Sequence, residues 1–296
     1  MTIAVRFTPE LGAWLNSGLS KGESESALVH TMMTQGMNGG VARAIVTAFV
    51  RARRSGTPAP HDSIVLEEGT LDYVDEAPRL APGRRLVAGD RIVPVLLRLE
   101  SPVLAVLGGV LAPGECAEVM RLARPRLAPS TVVDPTTGKD VVAPYRRSLG
   151  AFFRPNENAF IGSLERRIAA LMNMPVENGE GFQILCYPEG GESEPHYDFL
   201  ERSNDANRAS IARSGQRVST LITYLNDVAS GGETFFPKLG VSVSPEPGNA
   251  VYFEYANGLD QVDRRSLHAG ARVERGEKWV LTKWMRERPF VSAPAT

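Results

Sequence analysis

The segment "PEGGESEPHYDFL", residues 188–200, places His196 and Asp198 two positions apart on a β-like run. Side chains alternate along a strand, so both project to one face. A neutral imidazole beside a carboxylate can occupy two adjacent positions around a divalent cation. A third ligand must then come from elsewhere in the chain. Only four histidines are available. His30 falls on a predicted helix and His61 in a Pro/Gly/Ser-rich connector. His268, in "RRSLHAGARV", falls on a predicted strand late in the chain.

His-x-Asp is short enough to arise by chance, and a strand histidine is more often a core residue, so the weight falls on what accompanies it. Lys278 lies ten residues after His268 and opens the next strand, where Lys278, Val280, Thr282 and Trp284 share a face. An ammonium held among apolar groups needs an anion to offset its burial. A dicarboxylate bound at the metal supplies one; the alternative is that Lys278 meets water at a strand end. Tyr187 ends an apolar strand nine residues before His196 and either reaches the same carboxylate or bonds ordinary backbone. In "RVSTLITYLND", Thr220, Ile222 and Tyr224 share a face, and the two hydroxyls need partners if buried. Two histidines and one carboxylate with open positions opposite form the ligand set of non-haem Fe(II) oxygenases.

The elements that must position these residues follow a simple order. Thr8 and Pro9 start a helix carrying Leu11, Trp14, Leu15 and Leu19. A second carries Leu28, Met32 and Met33 and closes at Gly36. A third places Val41, Ile45, Ala48 and Phe49 on one face and ends in "RARRSG", read as a solvated helix end or a binding patch. After the connector "GTPAPHDS", residues 63–100 alternate short β-like runs with turns, forming a small extension or an arm of the next domain. A helix over 113–124 buries Cys116, Val119, Met120 and Ala123, and "VVDPTTGKDVV" reads as two strands around a turn. Asn156 is expected to cap a helix carrying Phe160, Leu164, Ile168 and Leu171. Beyond Pro175 the pattern predicts only strands and turns, as in a sandwich or jelly roll. The expected domains are a helical domain over 1–56, a linker with short β segments over 57–100 and a jelly-roll domain over 101–292.

Composition narrows the function classes. With 33 basic and 34 acidic residues, the chain lacks the basic excess of a nucleic-acid-binding surface. No apolar run approaches the ~20 residues of a membrane span, and "MTIAVRFTPE" lacks a signal-peptide pattern. Two cysteines, Cys116 and Cys186, are too few for a disulfide scaffold or a thiolate zinc site. A cytoplasmic protein without a membrane or nucleic-acid partner is expected.

Taken together, the run Tyr187-x-x-Gly190-(x5)-His196-x-Asp198, then "RVSTLITYLNDVASGGETFFP", then His268, Lys278 and Trp284, resembles the prolyl 4-hydroxylase-type Fe(II)/2-oxoglutarate dioxygenases. "SPVLAVLGGVLAPGECAEVMRLA" is similar to the opening of that family's catalytic domain, and the resemblance covers about residues 101–290. It implies an α+β fold with a double-stranded β-helix (jelly-roll) domain. It also implies His196, Asp198 and His268 as iron ligands and Lys278 as the anchor for the far carboxylate of 2-oxoglutarate. Tyr187, Thr220 and Tyr224 would assist at the co-substrate, Trp284 would line the pocket, and ascorbate is a candidate reductant. The chain departs from the family's Tyr-x-x-Gly-x-x-Tyr-x-x-His pattern at Ser193, which stands in the second tyrosine's place. Residues 8–54 lie outside the resemblance and look similar to a ubiquitin-associated-type three-helix module, a candidate for protein binding or self-association.

The resemblance implies hydroxylation of an unactivated C–H bond coupled to conversion of 2-oxoglutarate to succinate and carbon dioxide. A peptidyl-proline or related protein substrate leads. A free amino acid or small metabolite is the alternative, and a metal-binding module without oxygenase activity is a further one. The polar stretch "ERSNDANRASIARSGQ", 201–216, is expected as a mobile flap or an inert surface loop. Glu189, Glu192 and Glu194 either bias the mouth of the site or are solvated surface.

Overall fold

The structure is a computed structural model that describes residues 2–37, 39–67, 73–133, 140–142, 148–258 and 260–292. It divides into two compact units, 1–74 and 75–296. No helix among the described residues is long and apolar enough to cross a membrane.

In the first unit, β1 (Thr2–Arg6) pairs antiparallel with β2 (Ser63–Glu67). Between them lie α1 (Pro9–Ser20), α2 (Glu25–Thr34) and α3 (Gly39–Ser55). Thr8 caps α1 and Ser24 caps α2, each accepting a bond from a backbone N–H of the first turn. Leu15, Leu28, Met32, Ile45 and Phe49 form the core. The face of α3 is rotated from the expected one: Ala42, Ile45, Val46, Phe49 and Ala52 are buried, while Met33 on α2 is exposed. The arginines ending α3 are solvated; Arg54 meets Glu25 at 3.5 Å with both exposed.

The second unit is built on a nine-stranded antiparallel sheet. Its strands in chain order are β3 (Arg85–Ala88), β4 (Arg91–Glu100), β5 (Val103–Leu107), β6 (Ala128–Pro129), β9 (Leu149–Phe153), β10 (Phe182–Tyr187), β12 (Arg217–Tyr224), β16 (Ala250–Glu254) and β19 (Lys278–Arg286). Across the sheet the order is β3-β4-β5-β16-β12-β19-β10-β9-β6. A four-stranded sheet, ordered β11-β17-β14-β15, comprises β11 (Ser193–His196), β14 (Thr234–Phe236), β15 (Val241–Val243) and β17 (His268–Gly270). Two minor ribbons complete the strands: β13 (Ser230–Gly231) with β18 (Val273–Arg275), and β7 (Thr131–Val133) with β8 (Asp140–Val142). The turn expected between the latter two lies outside the described residues.

Both faces of the large sheet are covered, which is why β12 and β19 are buried almost throughout. One face packs on α4 (Pro113–Ala123) and α5 (Ala159–Leu171) through Trp279, Leu281, Met285, Phe182, Ile184 and Leu221. The other meets Phe236 and Val243 of the small sheet through Leu185, Ile222, Val251, Phe253 and Val280. Two antiparallel sheets enclosing a second core give the expected jelly roll.

Local details differ from the expectations. Asn158, not Asn156, caps α5, its Oδ1 accepting the Ile161 N–H at 2.9 Å. Asn156 instead takes a left-handed turn conformation, φ 54°. The stretch 201–216, expected as a flap or a surface loop, contains a helix, α6 (Asp205–Ser214), capped by Asn204. Arg286 clamps it through the Ser210 and Gly215 carbonyls, at 2.9 and 2.6 Å. Only Ser214 of α6 is buried, so no apolar stripe announces the helix.

The α5 face of the sheet holds a buried ion pair, Lys283 Nζ to Glu165 Oε1 at 2.8 Å, with both side chains nearly inaccessible. Glu165→Leu leaves the ammonium buried without its counter-charge and should cost ~3–5 kcal/mol in urea unfolding. Adding Lys283→Met should restore most of that. A double variant no more stable than the single would contradict this account.

Candidate active site

The large sheet and the small sheet enclose a cavity of about 920 Å³. His196, Asp198, His268, Lys278 and Tyr187 all line it, as do Val280, Thr282 and Trp284, the face of β19 that the alternation predicted.

His196 and His268 are directly opposed across the β11–β17 pair, with ring centroids 4.4 Å apart. Each ring is held through its inner nitrogen. His196 Nδ1 lies 2.8 Å from the Glu194 carbonyl and His268 Nδ1 lies 3.1 Å from the Ser266 carbonyl. A carbonyl only accepts, so each Nδ1 carries the proton and each Nε2 keeps a lone pair. Asp198 sits two residues beyond the end of β11, not on the strand as expected. Its carboxylate approaches His196 Nε2 at 3.8 Å and His268 Nε2 at 3.7 Å. One ligand atom from each of the three residues lies within 4.8 Å of the others.

The electrostatics put these groups in metal-ready states. Burial, with help from the His196 ring, pushes the His268 imidazole down to about 4, so it is neutral near pH 7. Burial works to raise the Asp198 carboxyl, but His268, His196, Arg217 and the Thr220 hydroxyl outweigh it and hold the group below its ordinary value. A carboxylate and two imidazoles whose Nε2 atoms lie beside it fit a hard-to-borderline divalent cation such as Fe(II).

Thr220 lies on the expected strand, but its hydroxyl has a protein partner. It is buried on β12, and its Oγ1 donates to Asp198 Oδ2 at 2.7 Å. Tyr255 donates in turn to Thr220 Oγ1 at 2.9 Å, because the threonine proton is committed to the carboxylate. The Thr220 hydroxyl proton is therefore committed to the Asp198 carboxylate. Tyr224 is also turned elsewhere: its hydroxyl donates to Thr234 Oγ1 at 2.8 Å, and its ring lies 5.7 Å from Lys278 Nζ.

Lys278 is 4% exposed and makes no ion pair among the described residues. Burial depresses its ammonium to about 8, with Glu233 opposing. Its nearest favourable contacts are the ring faces of Tyr187 and Tyr224. A buried ammonium in that setting favours an anionic ligand in the cavity.

The far end of the cavity holds residues that the sequence reading missed. Arg217 makes a two-pronged bond to Glu180 at 2.7 and 2.8 Å, stacks 4.0 Å over Trp284, and donates to the Asp198 carbonyl at 3.3 Å. Arg286 also binds Glu180. The sequence displays Arg217 at the head of an apolar run, but Glu180 lies 37 residues away and only the β10–β19–β12 order brings the two together. Asn204 and Asn207 of the α6 segment line the cavity as well.

Thr220→Val keeps the shape and removes the bond to Asp198. It should weaken Mn(II) affinity ~10-fold in anaerobic calorimetry, and lower the urea midpoint as well, because the buried Tyr255 hydroxyl loses its acceptor. Unchanged metal affinity would show that the hydroxyl does not orient the carboxylate.

Residues 182–286 match the model of the 2OG-Fe(II) oxygenase superfamily. Prolyl 4-hydroxylase 1 of Arabidopsis thaliana is 42% identical over 204 residues, covering 64% of this chain and 70% of that protein. Probable prolyl 4-hydroxylase 10 of the same plant is 38% identical over 209 residues, covering 64% and 70%. The crystal structure of the viral collagen prolyl hydroxylase of Paramecium Bursaria Chlorella virus-1 in its 2OG complex is 26% identical, covers 62% of this chain and 94% of that one, and superposes with a TM-score of 0.49. On the strength of the sequence relatives, the chain belongs to the prolyl 4-hydroxylase family of 2OG-Fe(II) oxygenases.

Proposed function

We propose that residues 101–292 hydroxylate a prolyl residue of a peptide or protein, with Fe(II) held by His196, Asp198 and His268 and 2-oxoglutarate anchored on Lys278. The observation that carries this reading is one cavity holding both the three converging ligand atoms and a buried ammonium without an ion pair. When bound, Fe(II) with 2-oxoglutarate and dioxygen supplies the oxidising power, one oxygen atom going to succinate and one into the substrate C–H bond as carbon dioxide leaves.

The chain's own part is placement. Thr220 and Tyr255 fix the carboxylate ligand. The backbone carbonyls of Glu194 and Ser266 fix the imidazole tautomers. Phe236 and Phe253 pack around His268, at 5.7 and 4.8 Å between ring centroids, and keep water from that side. Lys278 to Trp284 spans six residues of extended strand, roughly 20 Å. A five-carbon keto acid at the Lys278 end leaves most of that length free. The free end is lined by Trp284, Gln183, Phe152 and Phe290 and suits an extended peptide better than a free amino acid.

Fe(II)-loaded protein should release succinate from 2-oxoglutarate faster with proline-containing peptides than with free proline or other amino acids, and His196→Ala should abolish it. A preference for free amino acids would move the assignment to a small-metabolite hydroxylase. No succinate under any condition would leave a non-catalytic metal-binding module. The ammonium of Lys278 is present below about pH 8 and lost above it. Affinity for 2-oxoglutarate should therefore be flat to about pH 7.5 and fall roughly ten-fold by about pH 9. Flat affinity across that window, measured by calorimetry with Mn(II), would exclude Lys278 as the anchor.

A further inference from the structure

Ser193, where the family pattern has a tyrosine, has a defined place in this fold. Its Cα pairs with Gly270 across β11–β17, and Gly270 pairs in turn with Thr234 on β14. Ser193, Gly270 and Thr234 thus form one row of small side chains over the cavity, next to the His196–His268 row. The spacing is unusual: Ser193 and His196 are three residues apart, so a regular strand would turn them to opposite faces. The register shifts between them, and both line the cavity. An irregularity of this kind re-aims side chains at functional sites.

The Ser193 side chain is buried, 8% exposed, and makes no hydrogen bond among the described residues. Ser193 lines the cavity, where a ligand can take the hydrogen bond that its hydroxyl does not make to protein. Its position relative to Lys278 is fixed by Gly270. A Cβ built on Gly270 would lie 3.4 Å from the Ser193 Cβ and 3.9 Å from Lys278 Nζ. The Ser193 Cβ and the Lys278 ammonium therefore both lie within 4 Å of one point, and that point is open because residue 270 has no side chain.

We propose that Ser193 is a co-substrate-binding residue: its hydroxyl donates to the same distal carboxylate that Lys278 pairs with, and Gly270 keeps the space between them clear. This rests on the assignment of Lys278 as the 2-oxoglutarate anchor. A carboxylate has two oxygens and accepts from both sides, so the ammonium and the hydroxyl do not compete. Where relatives of this pattern fill the wall with a phenol ring, this chain uses a small donor.

The test is calorimetric titration of the full-length Mn(II)-loaded protein, without oxygen, using 2-oxoglutarate and 2-oxopentanoate. The second keto acid has a methyl group in place of the distal carboxylate. Ser193→Ala should weaken 2-oxoglutarate binding about ten-fold and leave 2-oxopentanoate binding unchanged. Gly270→Ala meets only ordinary contacts at its new methyl group, so it should fold. It should weaken 2-oxoglutarate at least as much as Ser193→Ala, with Mn(II) affinity retained. If Lys278→Met removes the preference for 2-oxoglutarate while Ser193→Ala leaves it within two-fold of wild type, Ser193 has no such role and the Lys278 assignment survives. Equal weakening of both keto acids by Ser193→Ala would also overturn the proposal, pointing to a structural effect. If wild-type protein shows no preference between the two keto acids, or Lys278→Met does not change it, the Lys278 assignment fails and this inference with it.

Discussion

The pairing of His196 with His268 across β11 and β17 is the constraint on which the rest of the site depends. It opposes two residues 72 positions apart in the chain, and the backbone carbonyls of Glu194 and Ser266 then turn both Nε2 atoms toward the same space. The third ligand is fixed from the other sheet, because Thr220 of β12 holds Asp198. The site therefore ties the two sheets together, and a metal ion bound there would add its binding energy to their association. A one-residue slip of β11 would turn the first histidine out of the cavity.

Two lysines on one strand show how burial separates structure from function. Lys278 and Lys283 are five residues apart on β19 and so face opposite sides of the sheet. Lys283 meets Glu165 in the helical layer, and its charge is matched within the fold. Lys278 faces the cavity, where Glu233 opposes the cost of burial, and burial pulls it down to about 8. A folded chain that leaves such a charge without a partner is holding a place for an anion. Ser193 shares that end of the cavity.

Much of this was legible in the sequence because strand alternation is a strict code. Lys278, Val280, Thr282 and Trp284 were expected on one face and lie on it. The three side chains whose donor atoms converge were legible because so few histidines compete for such a place. Other features were not legible, for identifiable physical reasons. Helix α6 is almost wholly exposed, and a polar helix has no hydrophobic period to read. Thr220 and Tyr224 carry hydroxyls on the expected face, but the alternation says nothing of which acceptor each will find, and both found protein groups. The Arg217–Glu180 pair depends on strand order, which local pattern does not encode. The register shift between Ser193 and His196 likewise has no signature in residue types alone.

The central claim is that His196, Asp198 and His268 share one metal ion while Lys278 grips the far end of a keto acid beside it. A crystal structure of the full chain grown without oxygen, with Fe(II) and 2-oxoglutarate, tests it most directly. The account predicts one ion in contact with His196 Nε2, an Asp198 carboxylate oxygen and His268 Nε2, and the distal carboxylate within hydrogen-bond reach of Lys278 Nζ. An ion bound by any other set of side chains, or a keto acid whose distal carboxylate points away from Lys278, would contradict it.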